Sequence, residues 1–165
     1  TKLAAEHLAI LYWRNFQVPT VSLRYFTVYG PRQRPDMAFQ KFIRAGLAGQ
    51  PIAISGDGEQ TRDFTFIADA VRANLLAAEK GVPGRVYNID GASRISVNKV
   101  LEQLEKIMGV PLKIEYIEKQ KGDVTHTYAD TTRATEELDF TPQVSLEEGL
   151  KAEFDWFMAN QALLV

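Results

Sequence analysis

The stretch from Leu23 to Ala38 limits the fold of this chain more than any other. Leu23 to Val28, rich in apolar and aromatic residues, reads as a short buried strand. Gly30-Pro31 ends that run, and a loop carrying Arg32 and Arg34 follows before the next helical pattern. A strand whose carboxyl end opens into a polar loop is where open α/β sheets hold their ligands. Two more polar loops share this character, one from Gly56 to Phe64 and one from Gln120 to Val124.

The remainder alternates between helical and extended patterns. Apolar residues at helical spacing predict a helix over Leu3–Phe16, stopped by Pro19, and Val21–Phe26 predicts the strand that follows. A second helix is expected over Ala38–Ala48, closed by Gly49 and Pro51. Ile52–Ile54 and Asp63–Phe66 read as extended, Asp69–Lys80 as an alanine-rich helix and Val86–Ile89 as a strand. Ser96–Met108 is a helix with Ser96 as its cap and Gly109 as its stop, and Leu112–Ile117 alternates like a strand. Helices over Thr131–Leu138 and Ser145–Ala159 finish the chain. The second of these opens on Ser145-Leu-Glu-Glu148, a capping box in which each side chain satisfies an orphan backbone donor. Such alternation predicts an α/β fold with some parallel pairing, as one compact unit over residues 1–165.

Composition removes several classes of function. Lysine and arginine number 19 against 21 acidic residues, a formal charge of −2, which argues against nucleic acid or an anionic membrane as the main partner. There is no cysteine, which rules out disulfides and thiolate metal sites and fits a cytoplasmic protein. His7 and His126 have no partners at metal-ligand spacing, so no metal is expected. No apolar run is long enough to span a bilayer, and the first residues lack a signal-peptide layout.

A dinucleotide-binding half begins with a strand and a glycine-rich turn that aims a helix N-terminus at the pyrophosphate. Nothing in the chain has that form. Gly56 and Gly58 lie between two short extended segments, so the usual means of holding NAD is missing.

In their order and spacing the motifs resemble the extended short-chain dehydrogenase/reductase family, the NAD-dependent nucleotide-sugar epimerases and dehydratases. The likeness runs from Lys2 to about Phe157 and covers the second half of that fold. It implies a truncated Rossmann-type half, with the last strands only, plus the small C-terminal substrate domain. Lys2-Leu-Ala-Ala-Glu6 is similar to the tail of the family's Y-x-x-x-K motif, which makes Lys2 catalytic by descent with its tyrosine partner absent. In the family that lysine holds the nicotinamide ribose and lowers the tyrosine pKa by its charge. Leu23-Arg-Tyr-Phe26 and Val28-Tyr-Gly-Pro31 resemble the stretch that packs near the nicotinamide, so Tyr25, Phe26 and Val28 are cofactor-side candidates. Thr27 stands where an asparagine is usual, and with Arg34-Pro-Asp-Met-Ala38 it resembles the UDP-glucuronate branch more than the UDP-galactose one.

Arg62, in Arg62-Asp63-Phe64, matches the arginine that grips the nucleotide diphosphate, a task suited to its fork of donors. Read from the residues alone, Arg62-Asp63 is equally a surface ion pair. Ala53 and Ser55 fall on the strip whose backbone reads uracil, and the two glycines after it keep the loop low for a ligand. Gln120 and Asp123 match the family's R-x-G-D turn, with Gln120 replacing the arginine and Lys119 or Lys121 able to compensate. Arg94 and Arg133 read as surface charge.

The resemblance implies a fragment of a NAD-dependent epimerase of UDP-hexose or UDP-hexuronate that retains the nucleotide-sugar subsite. UDP or a UDP-sugar is the expected ligand. NAD is expected in the full-length parent and not on this chain alone, which is expected to be inactive by itself. The alternative is a non-catalytic nucleotide-sugar binder or an oligomerising vestigial domain. Apolar area on the first helix points to a homo-oligomer or to pairing with a separate N-terminal half.

Overall fold

Local signals explain most of the element ends in the computed structural model, which describes residues 1–119, 122 and 124–161. The helices are α1 (Lys2–Phe16), α2 (Ala38–Leu47), α3 (Ile67–Lys80), α4 (Val97–Met108), α5 (Thr132–Leu138) and α6 (Leu146–Ala159). Ser96 Oγ accepts from Lys99 N–H at the start of α4, and Gly109 closes that helix in the left-handed region. At α6 both halves of the Ser145/Glu148 capping box are formed. Helix α3 begins two residues before the expected Asp69. The carboxylate of Asp69 instead accepts the N–H groups of Gln143 and Val144, tying the entry to α6 onto α3.

The strands are β1 (Ser22–Tyr25), β2 (Thr27–Tyr29), β3 (Pro51–Ser55), β4 (Thr61–Arg62), β5 (Phe64–Phe66), β6 (Val86–Ile89), β7 (Ile95–Ser96) and β8 (Lys113–Ile117). Parallel pairs join β1 to β6, β2 to β5 and β3 to β8, whereas β4 and β7 are antiparallel. This is an α/β fold whose parallel pairs are joined through helices. The run expected as one buried strand is divided at Phe26. Its N–H makes the last link to β6, at Ile89 O, and the chain then turns to β5. Nor is that run buried throughout, since Arg24 and Tyr25 are exposed and Tyr29 is the residue that enters the core. Strand β8 shows no buried alternation either; only Leu112, just before it, is covered.

Two apolar clusters hold these layers together. One gathers Tyr29, Phe39, Ile54, Phe64, Val100 and Leu150 between α2, α4, α6 and the strands β2, β3 and β5. The other packs Ala73, Tyr87, Ile89, Ala134 and Leu138 between α3, α5 and β6. Helix α1 contributes no buried residue to either. It is tied to β1 by a fork of hydrogen bonds from Arg24 to Glu6, while Leu8, Leu11, Tyr12 and Phe16 face outward. Among the described residues no helix is long and apolar enough to cross a membrane.

Candidate functional site

The cleft of interest lies over the first cluster. Strand β3 alternates, with Ile52 and Ile54 in the core and Ala53 and Ser55 less covered. Thr27 opens β2 opposite Phe64 of β5. Arg62 stands on β4, held to β7 by the pairing of Arg62 with Ile95 and of Thr61 with Ser96. These strands and the first turns of α2 enclose a cleft of about 410 Å³. Four residues proposed from the sequence for a nucleotide sugar line it together: Thr27, Ala53, Ser55 and Arg62.

Three further polar residues line the same space, Asp36, Lys41 and Gln60. Lys41 carries no motif in the sequence, yet Ala38, Lys41 and Phe42 follow the i, i+3, i+4 spacing of one helix face. Gln60 Nε2 donates to Ser55 O at 3.0 Å and closes the loop between β3 and β4. Arg34 directs its fork at Asp36, with bonds of 3.1 and 2.9 Å, so these two charges neutralise each other beside the cleft.

Thr125, just past the third polar loop, meets the second. Thr61 N–H donates to Thr125 O at 3.0 Å, and Arg62 Nη1 donates to Thr61 O and to Thr125 O. Lys119 Nζ donates to Thr125 Oγ1 at 2.9 Å, and Lys119 lines a recess of about 140 Å³ that shares Ser55 and Gln60 with the main cleft. Gln120, Lys121 and Asp123 lie outside the described residues.

Asp63 does not form the surface ion pair with Arg62 that the residues alone allow. It is buried, with one carboxylate oxygen unpartnered, and burial followed by the charge of Asp90 pushes its carboxyl above the usual range. The Ala129 N–H and the charge of Arg94 oppose that rise. Arg94 is more than surface charge too: its Nε donates to Thr61 Oγ1 at 3.3 Å and its guanidinium lies over the Tyr128 ring. His126 Nδ1 is 2.9 Å from Thr61 Oγ1, a contact with no signal in the sequence. Gly58 also differs from expectation. It holds φ +78°, and a Cβ there would also collide with the Asn98 amide, which caps the turn by donating to Asp57 O. Close packing by α4 is a second reason for this glycine.

The cofactor-side candidates separate. Lys2 and Tyr25 share a recess of about 680 Å³ between α1 and β1, together with Glu6, Ser22 and Arg24. Burial pushes the Tyr25 phenol up, and its hydroxyl donates to Ala70 O. Phe26 and Val28 line neither this recess nor the cleft.

Comparison with known proteins places the chain among relatives of one kind. Residues 1–90 match the model of the NAD dependent epimerase/dehydratase family. An uncharacterized UDP-glucose epimerase of Bacillus subtilis is 44% identical over 156 residues, which is 93% of this chain and 49% of the relative. The UDP-glucuronate 4-epimerase of Thermodesulfobacterium geofontis is 40% identical across 99% of this chain and 51% of its own length. The crystal structure of UDP-glucuronic acid 4-epimerase from Bacillus cereus, in complex with UDP-glucuronic acid and NAD, superposes with a TM-score of 0.90 at 45% identity. That match covers 95% of this chain and 51% of the crystallised one. The chain thus spans about half the length of the relatives it matches.

Proposed function

Because the chain belongs to the NAD dependent epimerase/dehydratase family, we propose that it forms the nucleotide-sugar-binding part of a NAD-dependent UDP-sugar 4-epimerase, with UDP-glucuronate as the favoured sugar nucleotide. The observation that carries this reading is the meeting of Thr27, Ala53, Ser55 and Arg62 in one cleft. Its volume of about 410 Å³ lies within the range of small-molecule sites, ~300–1,000 Å³.

Each residue has a task suited to its chemistry. Arg62 brings a guanidinium charge to the cleft for the diphosphate, and Lys41 adds a second positive charge from α2. The Thr27 hydroxyl donates or accepts one bond at the strand end. Strand β3 pairs only with β8 among the described residues, so the backbone at Ala53 and Ser55 can read the edge of uracil. Lys2 and Tyr25 are the residues this chain would turn towards NAD; the recess they share leaves the Lys2 ammonium without an ion pair among the described residues. NAD, when bound, supplies a reversible hydride acceptor for the sugar carbon.

Calorimetry with UDP and with UDP-glucuronate, each with and without NAD, tests the proposal. Binding of both nucleotides is expected. Arg62→Ala should weaken UDP by roughly tenfold to a hundredfold, the weight of charge-assisted hydrogen bonds. No heat with either nucleotide, or equal affinity in the variant, would refute the assignment.

A further inference from the structure

Glu153 is a fully buried carboxylate on α6 that does not line the cleft. Its Oε2 accepts Gly30 N–H at 2.9 Å, and its Oε1 accepts Gln40 Nε2 at 3.3 Å. Gly30 follows β2 and Gln40 lies in the first turn of α2. One carboxylate therefore joins both ends of the loop spanning residues 31–37. That loop and its anchoring elements supply Thr27, Asp36, Phe39 and Lys41 to the cleft wall. Neighbouring contacts seat α6 firmly: Gly149, one turn before Glu153, lies under the Tyr29 ring where a Cβ would collide.

We propose that Glu153 is a positioning residue acting as a proton-dependent clamp on the cleft: ionised, it ties both ends of the 31–37 loop, and protonated, it releases Gln40. The inference rests on the nucleotide-sugar reading of that cleft. Gln40 Oε1 is buried and has no partner. A proton on Glu153 turns one carboxylate oxygen into a donor, and an oxygen facing Gln40 Nε2 would then meet another donor. Turning the Gln40 amide over would give that proton an acceptor. It would also strand two N–H donors where the unpartnered Oε1 now lies, a costly exchange in a dry interior. The neutral form therefore loses the tie at α2.

Burial pushes the Glu153 carboxyl up to about 7, against the opposing pull of Gly30 N–H and the Gln40 amide. The exchange thus falls near neutral pH. Charged and titratable groups on the packed elements leave this balance in place. Tyr29 on β2 is itself pushed up by burial and stays neutral. Asp69 on α3 is bound by Arg72 and by the Gln143 and Val144 amides. On α6, Glu148 is held in the capping box and Lys151 pairs with Asp155 at the surface. Arg44, one turn beyond Gln40 on α2, lies over the Phe157 ring.

The test uses the ¹⁵N-labelled chain and UDP-glucuronate, whose diphosphate diester and carboxylate do not titrate between pH 6 and pH 8. The Gly30 amide resonance of wild type should titrate with a midpoint near 7. Its affinity for UDP-glucuronate should be about threefold or more higher at pH 8 than at pH 6, the weight of one modest hydrogen bond. Glu153→Gln keeps the shape and an acceptor for Gly30 but cannot ionise. It should show no Gly30 titration and a pH-independent affinity at the low wild-type level. A Gly30 amide that does not titrate overturns the proposal, as does a titrating amide with equal affinity at both pH values. Affinity that falls as pH rises also overturns it, because the carboxylate would then act by repelling an anionic ligand. No binding at any pH with a Gly30 titration that persists refutes the nucleotide-sugar reading, whereas no binding without that titration overturns the Glu153 clamp as well.

Discussion

Replacing Glu153 by glutamine should stabilise the chain at pH 8 and leave it nearly unchanged at pH 5. The folded carboxyl holds its proton up to about 7, whereas the ordinary value is 4.5. Between those values the folded state binds more protons than the unfolded one, so stability falls as pH rises. The contribution is fully present below pH 4.5 and is lost as pH climbs through 7. Each pH unit of that gap is worth ~1.4 kcal/mol, so ionised Glu153 costs on the order of 3 kcal/mol at pH 8. The glutamine oxygen can still accept Gly30 N–H, and the variant carries no buried charge. With a urea dependence of ~2 kcal/mol/M, the variant's unfolding midpoint at pH 8 should rise by roughly 1 M or more. Urea titrations of both proteins at pH 5 and pH 8 measure it. A variant less stable than wild type at pH 8, or a gain equal at both pH values, would refute the reasoning. A clamp that weakens the fold while it shapes the cleft fits the usual trade between stability and function.

Two other outcomes follow from packing. Gly58→Ala should lose about 2 kcal/mol in chemical denaturation, since φ +78° strains an alanine and its Cβ meets the Asn98 amide; a loss below the error of the measurement would refute that account. Leu8, Leu11, Tyr12 and Phe16 on α1 are about half exposed or more, so the chain is expected to self-associate at micromolar concentration. Leu8→Glu with Leu11→Glu should shift it towards monomer in sedimentation, and a wild type already monomeric there would rule the surface out.

The element types were legible because their causes are local. Ser96 and Ser145 announce helix starts three residues from the groups they cap, and Gly109 marks a helix stop at the residue that needs φ > 0. Residues of the first two polar loops and their flanking strands line the candidate cleft, as expected where ligand sites gather at strand ends. Pairing was less accessible. The two-residue strands β4 and β7 are joined across more than thirty residues by backbone bonds that leave no side-chain period. The division at Phe26 has the same origin, because β1 and β2 differ in their partners and not in their composition.

By itself, the sequence determined that this is an α/β chain, because periodicity, caps and turn residues act within a few positions. Tertiary structure alone decided which charges are buried and what they face. Asp63 reads as half of a surface pair and lies in the interior; Glu153, inside the expected last helix, joins a distant turn to a distant helix. The physical reason is that burial and hydrogen-bond partners across more than a hundred residues are properties of packing, which no local pattern encodes.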